Sequence, residues 1–185
     1  MALPTDTYLL GAHAWFFRSG DSVTTAGNYT SADTGAASKT RRPGALDAAW
    51  ISLGAIEDAE LEGSDTELET WIPTPGRLRR NALISTKEGL MLKWTCSELS
   101  AFHFEILMKT LLLSASSTQF NPLEGGIKLG WLKLQLYDQN DAQRLIMDTW
   151  GRIKVAGAVQ IGGAEIVKPQ FEFAVLHSSL NSGTL

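Results

Sequence analysis

Only one stretch of this chain repeats its apolar residues at helical spacing. Leu99, Phe102, Ile106 and Leu113 recur at intervals of three, four and seven, Leu107 widens the stripe, and His103 and Glu105 fall off it. Ser97 or Ser100 can cap its start by accepting from the free amides of the first turn, and Ser114-Ala115-Ser116-Ser117 ends it. The spacing predicts one helix over about 98–113. Everywhere else the apolar segments are short and bounded by turn residues. Tyr8–Phe17 reads as a strand entering a turn at Ser19-Gly20-Asp21. Trp50–Leu53 reads as a short strand broken at Gly54, and Leu90–Cys96 as another. Leu129–Tyr137 alternates apolar and polar over its second half before an Asx-rich turn at Asp138–Asp141. Arg144–Trp150 and Arg152–Ile161 follow, broken at Gly151 and Gly157. Gly162-Gly163 then turns the chain into Gln170–His177, where Phe171, Phe173 and Val175 face one way. Many short strands with one helix predict a mainly β protein, an antiparallel sandwich or barrel with a flanking helix.

Two segments do not fit that rhythm. Asp21 to Asp47 holds mostly Ser, Thr, Ala and Gly without apolar periodicity, and reads as a long loop, or as an arm that orders against a neighbouring subunit. Glu57 to Glu69 carries seven acidic residues and no basic one. Within it Asp58, Glu60 and Glu62 alternate with Ala59, Leu61 and Gly63, the pattern of a strand with one wet and one packed face. Trp71-Ile72-Pro73-Thr74-Pro75-Gly76 is a turn signal, and Arg77, Arg79 and Arg80 form a small basic cluster after it. The tail, 178–185, is polar and expected to be extended.

At 185 residues the chain fits one domain, 1–185, with room for a real core. A net charge of −4 argues against tight binding to phosphate backbones, which needs clustered cations. The lone cysteine, Cys96, forms no intrachain disulfide and no Cys-based zinc site. The apolar stretches are short of a membrane span, and the first residues lack a secretory pattern, so a soluble chain made in a cytoplasm is expected, without membrane insertion. His13, His103 and His177 lie in distant segments, and nothing in the sequence places one beside a particular Ser or Cys96. No nucleophile elbow, zinc helix or phosphate loop occurs. A calcium loop fits Asp58–Glu69 only loosely, and nothing singles out a glycosidase pair. The expectation is a non-enzymatic protein without metal or cofactor. The acidic run is either a solvated strand face or a line of carboxylates facing an aqueous channel. Of the six tryptophans, spread about one per strand, most are expected in the core.

The order of parts resembles that of the tail-tube (major tail) proteins of siphovirus-type bacteriophages. Trp50–Asp58 looks like the early strand, glycine and acidic strand of that family. Lys93–Ala101 leads from strand into helix as their middle does, and Val155–Gln160 with Phe171–Leu176 looks like their closing strands. The 21–47 segment does not map onto it. The resemblance implies a β-sandwich that assembles in the host cytoplasm as hexameric rings, stacked into a virion tail tube through which double-stranded DNA is ejected. It also implies tape-measure, terminator and baseplate partners. Asp58, Glu60 and Glu62 are then candidates for the lumen lining, and Arg77, Arg79 and Arg80 for inter-subunit contacts. A tail terminator or baseplate hub ring, or the tube protein of type VI secretion, shares this layout. A soluble carbohydrate- or protein-binding sandwich is a further alternative.

Overall fold

The computed structural model describes residues 9–23, 35–110, 122–123, 125–157 and 168–184. The strands are β1 (Leu9–Arg18), β2 (Ser22–Val23), β3 (Gly35–Ala36), β4 (Ile51–Thr74), β5 (Arg77–Cys96), β6 (Lys128–Asp138), β7 (Gln143–Val155), β8 (Gln170–Val175) and β9 (Ser182–Thr184). The helix α1 covers Ala101–Leu107. The main sheet runs β6-β1-β4-β5-β8-β7-β9, and β6 also pairs with β7. Six strands therefore close on themselves, all pairs antiparallel, into the mainly β barrel with one helix that the strand rhythm predicts. Closure removes the sheet edges around the ring. The three-residue β9 occupies the part of the β7 edge that β8 leaves open, at Ile146–Asp148.

Alternation along the strands fills the barrel. Ala12, Ala14 and Phe16 point inward from β1, Leu92 and Trp94 from β5, and Phe171 and Phe173 from β8. Helix α1 adds Phe102 and Ile106 to the same core, with Phe102 stacked on Phe16 at 5.1 Å between ring centroids. A second core lies on the outer face, where Phe17, Trp131 and Trp150 occupy directly paired positions of β1, β6 and β7. Residues 35–50 fold over it, burying Ala37.

Several expectations are corrected. The helix is shorter than 98–113: its first turn is capped by Ser100, but Lys109 at φ 49° turns the chain away, and 111–113 lie outside the described residues. His103 and Glu105, expected off the apolar stripe, are buried, because their side of the helix also packs inward. The strands are not all short, since β4 and β5 have 24 and 20 residues. Gly54 does not break β4, which absorbs its φ of 73°, and β7 runs straight through Gly151. The Trp71–Gly76 turn shrinks to Pro75-Gly76, with strand up to Thr74. The described part of the 21–47 segment is not a free arm: Trp131 Nε1 donates to the Ser38 and Arg41 carbonyls, tying it to its own barrel. Residues 24–34 of that segment lie outside the described residues, as do 158–161 and Gly162-Gly163. The tail turns at Ser179-Leu180 and is extended only over Ser182–Thr184, where it is fastened as β9; Leu185 lies outside the described residues.

Candidate functional site

Strands β4 and β5 outrun their neighbours. β1 pairs with β4 only as far as Ile56, and β8 pairs with β5 only over Met91–Thr95. Beyond those points the two strands pair with each other alone, down to Thr74 opposite Arg77. The result is a two-stranded ribbon standing clear of the barrel, with no further strand on either outer edge among the described residues. Its turn, Thr74-Pro75-Gly76-Arg77, has proline and glycine where a type II turn places them, and Gly76 takes the required positive φ at 80°. Pro73 sits in the strand without loss because an edge leaves its missing N–H unneeded. All side chains from Glu57 to Glu69 are exposed, Leu61 by 59% and Leu68 by 54%. The expected packed face of the acidic strand is thus absent: Ala59 and Leu61 have no barrel wall opposite them here.

Asp58, Glu60 and Glu62 do share one face, opposite Thr95, Lys93 and Met91. That face is not uniformly acidic. Glu60, Lys93, Glu172 and Lys154 are successive register partners across β4, β5, β8 and β7, a ladder of alternating sign. Lys93 Nζ lies 2.5 Å from Glu62 Oε2, and Lys154 Nζ lies 2.5 Å from Glu172 Oε1. The hydrogen bond to Glu62 raises the Lys93 pKa. The three arginines sit at the far end of the ribbon. Arg77 partners Thr74 in register and Arg79 partners Ile72; the Arg79 side chain is outside the described structure. Arg80 pairs with Glu69 at 2.7 Å and stacks on Trp71, which is 49% exposed.

The structure also brings together groups that the sequence left apart. Cys96 Sγ lies 3.7 Å from His103 Nε2, and His103 Nδ1 accepts from the Ser100 amide at 3.0 Å. Serine hydroxyl, imidazole and thiol in one cluster look like nucleophile chemistry, but their environment works against it. Burial pushes the thiol up to about 11 and the imidazole down to about 4, so both are held neutral where an activated pair needs a thiolate. His103 acts as the third residue of a capping box, a role usually taken by Glu or Gln; a polar residue three places after Ser100 was the readable signal. His13 and His177 lie elsewhere on the exposed surface.

A second feature is a cleft of about 340 Å³ lined by Trp15, Leu46, Asp47, Trp50, Lys133 and Gln135. Lys133 Nζ donates to the Ala45 carbonyl at 2.7 Å and sits 4.1 Å from the centre of the Trp50 ring. Among the described residues no group of three His, Cys, Asp or Glu side chains converges to hold a metal ion, and no helix is long and apolar enough to cross a membrane. No family model matches this chain, and no curated protein matches its sequence.

Proposed function

We propose that the chain is a structural subunit that works by assembling with copies of itself. The observation that carries this reading is the ribbon. Its two bare backbone edges offer unpaired amides and carbonyls, which proteins ordinarily shorten, cover or twist away. Here they are long, and they carry Leu61, Leu68, Trp71 and Ile72 half exposed. The edges also differ in sign away from the tip: β4 bears Glu57, Asp58, Glu60, Glu62, Glu67 and Glu69, while β5 bears Arg79 and Lys87 against the single Glu88. An acidic edge of one copy set against a basic edge of the next is a heterologous contact, which closes into a ring or runs on as a filament.

Within that class, the reading is a siphovirus-type tail tube. The layout resemblance supports it, and so does the physics of a DNA conduit, whose wall must not hold phosphates. Six copies of a −4 chain carry −24 per ring. The Asp58, Glu60 and Glu62 face contributes to the lining, with Lys93 and Lys154 tempering its charge. Negative-stain microscopy of the pure full chain tests the proposal: rings or stacked tubes are expected, and a monomer at high concentration would sink it.

A carbohydrate-binding module is the second reading, favoured by the Trp15–Trp50 cleft, where indole faces and the Gln135 amide match the apolar faces and hydroxyls of a pyranose. A glycan array separates the two.

A further inference from the structure

Asp65 of β4 and Glu88 of β5 are direct register partners at the root of the ribbon. Like charges at directly opposed positions of an antiparallel pair are destabilising. Neither carboxylate has a partner among the described residues; Lys93, at the barrel end, is paired with Glu62, and Arg80, at the far end of the ribbon, with Glu69. The two acids line a crevice of about 490 Å³ together with Leu90, Val175, Leu176 and His177. Its lining joins apolar side chains to the polar Asn181 and His177 and to two carboxylates with no ion-pair partner among the described residues.

The tip of the ribbon has the opposite character. Trp71 and Ile72 are 49% and 47% exposed, and Arg77 and Arg80 flank them. Within one molecule these cannot meet. Nine residues separate Asp65 from Thr74 along β4, which at about 3.4 Å per residue puts the tip about 30 Å from the crevice. The complement must come from another molecule of the same chain.

We infer that the ribbon tip of one copy seats in the Asp65–Glu88 crevice of the next. Trp71 and Ile72 cover Leu90, Val175 and Leu176, and Arg77 and Arg80, the latter shared with Glu69 of its own ribbon, set positive charge against the two carboxylates. This deepens the assembly reading and rests on it: the lateral edges set one contact, and the tip and crevice set a second, head-to-tail contact that stacks one layer on another. Exposed ion pairs are worth little singly, so the apolar burial supplies most of the affinity and the charges set the register.

The test uses the full chain in two charge-reversed forms, Arg77→Glu/Arg80→Glu and Asp65→Lys/Glu88→Lys. All four side chains are exposed, and the exposed Arg80–Glu69 pair is worth little, so both forms should keep the wild-type circular dichroism and a melting temperature close to wild type. Each alone is expected to lose stacked tubes but still form single rings in micrographs and sedimentation; loss of the rings as well would assign these residues to the lateral contact and overturn the tip-in-crevice one. An equimolar mixture is expected to regain stacking, because reversed tips now meet reversed crevices. Stacking by either form alone, or a mixture that stays unstacked, overturns the tip-in-crevice contact and leaves the assembly reading standing. A wild-type chain that remains monomeric overturns both.

Discussion

His103 is the residue whose chemistry the fold changes most. An exposed imidazole takes up a proton near pH 6.5, but burial against Phe171, stacked at 4.9 Å, holds its pKa down to about 4. Its Nδ1 accepts from the Ser100 amide, so the neutral ring carries its proton on Nε2, toward Cys96. In the window between pH 6.5 and 4 the unfolded chain binds a proton that the folded chain refuses. The stability this residue confers is therefore complete above pH 6.5 and is lost as pH falls toward 4. At 1.36 kcal/mol per unit the loss is about 3 kcal/mol. His103→Gln keeps an acceptor for the capping box and removes the titration. Thermal melts from pH 7.5 to 4 should therefore fall less steeply for the variant than for the wild type, and parallel curves would rule out His103 as the cause. The serine cap was legible in the sequence because capping is a local bond. The burial of His103 was not, since it depends on Phe171, which arrives from β8.

Among the elements, β7 shows best why glycine was misread. A glycine inside an apolar run signals a break when only neighbours in sequence are considered, and Gly151 was expected to divide two strands. In the barrel it is instead the point of closest approach. A β-carbon there would lie 2.2 Å from the Ala174 carbonyl oxygen and 2.6 Å from the Phe173 ring. Gly130, its register partner on β6, is equally crowded, by the Phe17 carbonyl at 2.1 Å. The paired glycines let aromatic side chains lie flat across strands that a methyl group would push apart. Gly151→Ala should cost about 1–3 kcal/mol in denaturant unfolding, the range of core overpacking. Gly63→Ala, on the open ribbon with nothing within 4 Å, should be neutral or slightly stabilising. Equal effects at the two sites would remove the crowding argument. The ribbon itself was half legible. Its acidic alternation identified a strand, but where β1 and β8 end is a property of the sheet, so the lack of a packed face could not be read from Ala59 and Leu61. The same reason hid the first half of β5, whose residues Arg77–Gly89 pair with β4 alone, so that no neighbouring strand imposes a pattern.

At the scale of the whole molecule, the strand rhythm announced the barrel, while the fastening of its outer core was invisible, because it joins three regions remote in sequence. Arg42 is the fastening. Its guanidinium donates to the Leu180 carbonyl at 3.2 Å and to the Ser182 hydroxyl, and lies 3.7 Å from Asp148 on β7. Close by, Ser178 Oγ donates to the Lys39 carbonyl, and the Trp150 amide donates to Asn181 Oδ1. Residues 38–42, β7 and the C-terminal segment thus hold one another over Trp131 and Trp150. The charges are costly there: burial lowers the Arg42 and Lys133 pKa values and raises that of Asp148, so the cluster does more to fix one arrangement than to stabilise it outright. Removing one member is a different matter, since it strands the others. Arg42→Ala leaves Asp148 buried with Lys133 as its remaining cation and frees the Leu180 carbonyl and Ser182 hydroxyl, at an expected cost of about 3 kcal/mol. The loss should also be local before it is global. Hydrogen exchange should quicken first in β9 and in the 35–50 segment, with tryptophan emission shifting to the red as the outer core takes in water, while amides of β1, β5 and β8 keep their protection. Uniform acceleration across the barrel would instead mean that Arg42 supports the whole fold, and unchanged exchange in β9 would mean that the ladder with β7 holds the tail without it.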